Sequence, residues 1–292
     1  METSLISGTG FLKDEKLYIQ RARQALPILV RQAMIGRPIF YSDLALELNM
    51  PNARNLNYVL GAIGNTLLEI GKEWGEKIPY LQSIVLNKAT NLPGEGIAWF
   101  IENKQEFLQS SKRKKEQLFE VFLTEIYLYP KWLQVLDFLG IAPYQQDYSA
   151  LIDEGKHFSW SSGESEAHRT FKEWVFKNPQ ALNLPYQIKP LKMEYVFLSQ
   201  DAVDVAFKGE TTFVGVEVKS KISRMPDILR GLFQCVKYHA LIQAEQLFEP
   251  HRLDSQVILA LEGAFPSALI PMKNQLGVEV IDNLGLKKTV NL

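Results

Sequence analysis

The sequence predicts an α/β protein in two parts, a mostly helical N-terminal part and a mixed sheet flanked by helices. Three observations predict it. Residues 15–74 and 101–140 carry apolar side chains at helical spacing, with Pro and Gly between the runs. From residue 193 the pattern changes to short Val-rich runs: MEYVFLS, AVDVAFK, TFVGVEVKSK and QVILALEG. A helical run, PDILRGLFQCVKYHALIQAEQLF, separates the third from the fourth. The expected organisation is residues 1–100 as a first domain, 101–155 as a helical linker and 156–292 as a second domain.

The totals bound the function. The chain has 292 residues, 46% of them apolar, enough for a full core. Its formal net charge is −1, so any nucleic-acid surface is a local patch rather than a basic coat. The single cysteine, Cys235, excludes an intrachain disulfide and a cysteine-built zinc cluster. METSLISGTGFLKDEK lacks a basic start followed by an apolar core, and no run reaches the roughly 18 apolar residues of a membrane span. A cytoplasmic protein without membrane contact is expected.

Residues 15–35 read as a helix, with Pro27 as a kink or a new start and Gly36-Arg37-Pro38 as the break. Ser42 is placed to cap a short helix from Asp43 to Leu48. Asn49-Met50-Pro51 is a turn, and Asn52 or Asn55 starts a helix to about Trp74. Two strand-like runs follow, IPYLQSIVLN and GIAWF, joined by a polar turn. Helix, short helix, turn, longer helix and ribbon is the order of a winged helix-turn-helix, which lays its second paired helix in the DNA major groove. YSDLALELNM, the Arg54–Leu60 helix start and IVLNKATNLPGEGI also resemble small winged-helix modules of bacterial nucleases and the DNA-binding half of the alkyltransferase family. Arg54, Asn55 and Asn57 are the candidate base contacts, a thin set that implies weak or shape-based preference. The plainer alternative is a winged helix used for protein contact.

Residues 101–140 read as helical and are divided at Pro130. Lys112, Arg113, Lys114 and Lys115 form a basic cluster, either a phosphate contact or a solvated helix face. GESEAHRTFKEWVFKNP then reads as a helix capped by Ser161 or Ser162, with Ala167, Phe171, Trp174 and Val175 as its core face.

The candidate site lies on the second and third strands of the sheet. If Gly209 to Thr212 form the loop, Val205 faces Val216, Phe207 faces Val214, Val203 faces Val218 and Asp204 faces Glu217. One face becomes an apolar ladder, and the other gathers Asp204, Glu217 and Lys219. A slip of one residue would break the ladder. Two carboxylates at cross-strand spacing repel unless a cation lies between them. Mg²⁺ (or Mn²⁺) takes a few carboxylate oxygens and leaves room for a phosphate. Lys219 beside it can hold a water or stabilise the charge of a transition state. The plainer alternative is a solvated strand edge with ordinary charges.

Asp204 followed by Glu217-Val218-Lys219, in helix–strand–strand–strand–helix order over about residues 160–285, resembles the PD-(D/E)XK nuclease superfamily, the restriction-endonuclease-like fold. The resemblance implies a mixed-sheet αβββαβ core after the winged helix. It also implies metal binding by Asp204, Glu217 and the Val218 carbonyl, with Lys219 as the catalytic lysine. Val203 stands where the family usually has Pro. Many members add a glutamate on the first core helix; Glu164 is preferred to Glu166 because it shares the core-facing stripe. His168, four residues on, is a candidate metal-shell or DNA contact, or an ordinary structural histidine. Gln234 and Tyr238, spaced i, i+4, match the QxxxY pattern of RecB-like members. The expected activity is Mg²⁺-dependent cleavage of DNA in prokaryotic restriction, defence or repair. Cutting both strands needs a homodimer or two successive nicks. The alternatives are a regulatory DNA-binding protein with a silent nuclease fold, or a nuclease acting on RNA.

Overall fold

Apolar stripes at helical spacing build the first half of the chain, and Val-rich strands build the second. The computed structural model describes residues 10–101, 104–150, 152–153, 165–184 and 186–285. The chain divides into two compact units, Met1–Gln146 and Asp147–Leu292. Among the described residues no helix is long and apolar enough to cross a membrane.

In the first unit, α1 (Leu17–Met34) buries Ile19, Ala22, Leu26, Leu29 and Ala33. Pro27 lies inside it, and the helix runs through, held on both sides by the buried Leu26 and Ile28. After β1 (Ile39–Phe40) come α2 (Tyr41–Glu47) and α3 (Leu56–Trp74). The α3 stripe, Leu56, Val59, Leu60, Ile63, Leu67 and Ile70, is wholly buried. Gly75, in the left-handed region at φ 66°, ends α3. β2 (Val85–Asn87) pairs in parallel with β1 and antiparallel with β3 (Leu92–Pro93).

Several local expectations change here. Ser42 does not cap α2; Phe40 occupies the N-cap position without a side-chain bond. The Asn52 side chain instead accepts from the Arg54 N–H and opens the turn ahead of α3. Within the first strand-like run, Leu81–Ile84 is a 3-10 turn and only Val85–Asn87 is strand. GIAWF is not a strand either. Glu95–Phe100 is a 3-10 helix, which buries the neighbours Ile97 and Ala98 together; an alternating strand would turn one of them outward.

α4 (Lys104–Gln109), α5 (Lys112–Leu128) and α6 (Trp132–Phe138) follow, with Pro130 between the last two. The stretch expected to link the halves instead packs into the first unit as far as Ile141. Ile126, Trp132, Val135, Leu136 and Leu139 join the core of α1 and α3, and the Trp132 indole N–H donates to the Ile126 carbonyl at 2.8 Å.

The second unit is a five-stranded mixed sheet in order β4-β5-β6-β7-β8. The strands are β4 (Lys189–Val196), β5 (Ala202–Lys208), β6 (Thr212–Lys219), β7 (Asp254–Leu261) and β8 (Glu279–Ile281). The first three pair antiparallel and the last three parallel. α7 (Glu166–Lys177) packs on one face through Phe171 and Val175, against Val205, Phe207, Val214, Val216 and Val218. α8 (Met225–Gln246) joins β6 to β7 and packs on the other, against Val203, Ala206, Phe213 and Leu259. α9 (Ile270–Leu276) precedes β8. β6 is therefore covered on both sides, which is why its Val run is nearly continuous. β4, at the sheet edge, is almost wholly exposed and carries Lys189 and Lys192, which discourage further strand pairing.

Candidate functional site

The hairpin of β5 and β6 sets the site. Val205 pairs with Val216, Phe207 with Val214 and Lys208 with Phe213, the register that the apolar ladder requires. Backbone pairing stops at Val205–Val216. Beyond it the Asp204 carboxylate takes the place of a backbone acceptor: its Oδ2 accepts from the Val218 N–H at 2.9 Å. Val203 correspondingly leaves the ladder. It packs with Ala206 and Phe213 under α8, while Val218 stays with Val214 and Val216 under α7. The expected Val203–Val218 pair is therefore absent, because Asp204 needs that end of the strand to reach across.

Glu217 and Lys219 point toward α8. The Lys219 ammonium donates to Glu217 Oε1 at 2.7 Å and to Gln234 Oε1 at 3.2 Å. Gln234 Nε2 in turn donates to the Tyr238 hydroxyl at 3.3 Å, and the Tyr238 ring stacks on Phe197. The i, i+4 pair thus forms a half-buried chain of bonds that fixes the lysine head. His168, on α7, brings its Nε2 within 3.4 Å of Asp204 Oδ1. Side-chain exposure is 4% for Glu217, 11% for Lys219 and 18% for Asp204, so the charges are largely withdrawn from water.

That burial splits the two carboxylates. Burial pushes Glu217 up, the Asp204 charge adds to the rise, and Lys219 only partly opposes it; the group titrates at about 7. Burial also pushes Asp204 up, but His168, the Val218 N–H and Lys219 outweigh it and hold it below the usual carboxylate range. One carboxylate keeps its charge, and the other holds a proton up to neutrality. Lys219 only partly neutralises the pair, and its donors are hard oxygens. Both features fit a divalent cation of the Mg²⁺ type. Among the described residues no three His, Cys, Asp or Glu side chains converge as a complete ligand set.

Of the other expected residues, Glu164 lies outside the described residues, as do Ser161 and Ser162. Ser165 caps α7, its hydroxyl accepting from the His168 N–H at 3.1 Å, and Glu166 is the first helical residue. Arg54, Asn55 and Asn57 are exposed in the first unit. Lys112 to Lys115 open α5 behind the Ser111 cap. There Lys112 lies 3.7 Å from Glu116, Lys114 2.7 Å from Glu106, and Lys115 donates to the Leu108 carbonyl at 3.1 Å. Both acidic neighbours are exposed.

Two contributors escape motif reading. Gly231 lies on α8 one turn before Gln234. A Cβ there would come within 2.9 Å of Lys219 Cε and 2.8 Å of Leu259 Cδ1, so the lysine stem lies in the space that the missing side chain leaves. A lone glycine inside an otherwise good helix is the signal that could have found it. Lys172, buried on α7 and four residues after His168, donates to Glu194 at 2.7 Å. Glu194 lies between the pairs Met193–Val205 and Tyr195–Val203, hence opposite Asp204, and its backbone is left-handed at φ 49°. Nothing in the sequence pattern marks that conformation.

No family model and no curated protein matches the chain. Among solved structures it is similar to a repair endonuclease from Pyrococcus abyssi, at 19% identity and a TM-score of 0.30, over 42% of this chain and 49% of that one. It is also similar to EndoMS in a complex with dsDNA, at 19% identity and a TM-score of 0.30, over 43% of this chain and 48% of that one. The matched stretch spans about half the length of either structure. Both scores are low, and the site's own side chains carry the functional conclusion.

Proposed function

We propose that the chain is a metal-dependent nuclease that hydrolyses phosphodiester bonds in DNA. The observation that carries this is the gathering of Asp204, Glu217 and the Lys219 ammonium at one end of a two-stranded hairpin, Glu217 buried and the other two half-buried. Asp204 and Glu217 would hold Mg²⁺ or Mn²⁺, with the Val218 carbonyl and Glu164 as further oxygens. A bound cation supplies neutralising charge and a more acidic water. Lys219 contributes a fixed positive charge to the phosphate's developing negative charge, and Gln234 and Tyr238 hold its head in place. His168 orients Asp204.

The first unit is proposed as the DNA-positioning part, a winged helix. Its order of α1, α2, α3 and a short ribbon supports this, with Arg54, Asn55 and Asn57 at the start of α3. Two chains, or two successive nicks, would cut a duplex. The test compares labelled duplex DNA, single-stranded DNA and RNA of one sequence with Mg²⁺ or Mn²⁺, using wild type and Glu217→Gln. Cleavage of DNA by wild type and its loss in the variant is the expected result. Equal cleavage by both proteins overturns the assignment, and cleavage of RNA alone overturns the substrate.

A further inference from the structure

The first unit holds a cavity that the cleavage site does not use. It has a volume of about 710 Å³ and lies between the outer face of α3, the β2–β3 ribbon and the Glu95–Phe100 turn. That is the size of an ordinary small-molecule pocket. Gln82 lines it and is 6% exposed. Both ends of its amide are closed off from solvent, and among the described residues neither has a hydrogen-bond partner. A buried carboxamide with both groups unpaired is costly to keep in a core, where an apolar residue of like size would serve better.

The surroundings suggest what would pair with it. Gly64, in the middle of α3, leaves room for two neighbours: a Cβ there would come within 2.6 Å of Gln82 Nε2 and 2.5 Å of the Phe100 ring. The missing side chain thus seats the amide and an aromatic ring together, at the usual helix penalty of a glycine. Tyr41 adds a second ring to the lining, its hydroxyl accepting from the Gly94 N–H at 3.2 Å. Arg54 and Lys88, both exposed, supply positive charge to the lining.

We propose that this cavity binds a nucleobase. A carboxamide presents a donor beside an acceptor, the complement of the hydrogen-bonding edge of a base. Aromatic rings offer stacking faces, and the two cations suit the attached phosphate. The base arrives either on a free mononucleotide or unpaired from a nucleic-acid strand; the recognising chemistry is the same.

Full-length protein is titrated without metal with each of the four deoxynucleoside monophosphates by calorimetry. In parallel, fluorescence anisotropy compares a fully paired duplex with one carrying a single unpaired base. Saturable binding of a mononucleotide supports the free ligand, and tighter binding of the unpaired-base duplex supports a strand-borne base. In either case Gln82→Leu weakens the binding by about tenfold or more, with a melting temperature equal to or above wild type. Arg54→Ala, on an exposed helix start, gives a second reading in a folded protein. It weakens the monophosphate and leaves the affinity for the bare nucleoside unchanged. Absence of both binding signals in wild type, or Gln82→Leu binding as wild type does, overturns the proposal. Because no metal is present, either failure leaves the cleavage proposal standing.

Discussion

At the scale of single residues, the site is a problem in charge placement. Glu217 titrates at about 7 in the folded protein, above an ordinary carboxylate. Its raised pKa stabilises the metal-free fold below about pH 4, the usual range of an exposed glutamate, and that contribution is lost as pH rises through 7. Asp204 has the opposite sign: its lowered pKa gives stability at neutral pH that is lost on acidification. The difference between wild type and Glu217→Gln isolates the first effect. Urea midpoints at pH 5 and pH 8, without metal, are expected to fall more steeply with pH in wild type than in the variant. Gly231→Ala tests the seat of the lysine. It is expected to displace Lys219 or Leu259, lowering kcat at least about tenfold while substrate affinity holds, as measured by single-turnover cleavage. At this scale the sequence is partly legible. Asp204, Glu217 and Lys219 stand out as charges in Val-rich strands, whereas the Lys172–Glu194 pair does not, because nothing in the sequence pattern marks the left-handed backbone at Glu194 or pairs it with a lysine 22 residues away.

At the scale of elements, the hairpin and its covering helices carry the site. The Val205–Val216 and Phe207–Val214 pairs were readable from alternation, since only one register keeps the large apolar side chains on one face. The end of the ladder was not, because a side chain there replaces a backbone partner: Asp204 bonds Val218 N, and Val203 turns under α8. The same limit applies to GIAWF, where a run of apolar residues fits a strand or a 3-10 turn equally well. Phe207 is fully buried between β5 and α7. Phe207→Ala is expected to cost about 3–5 kcal/mol in a urea titration, far more than an exposed change on β4 such as Lys192→Ala.

At the scale of the whole molecule, two units divide the chain near residue 146. With a net charge of −1, the proposed DNA affinity falls to local cations. If Lys112 to Lys115 contact phosphates, neutralising all four is expected to reduce the slope of log K against log salt by up to about 3.6 on duplex DNA, measured by anisotropy. An unchanged slope marks them as a solvated helix start in contact with Glu106 and Glu116. The central claim is that the carboxylate pair and the lysine cleave DNA. Its most direct measurement is conversion of supercoiled plasmid to nicked and linear forms in Mg²⁺ or Mn²⁺, with wild type, Asp204→Ala and Lys219→Ala at matched folded concentrations. Metal-dependent conversion by wild type, reduced at least about a thousandfold in both variants, is the predicted result. Conversion by all three at the same rate, or by none of them in either metal, would contradict it.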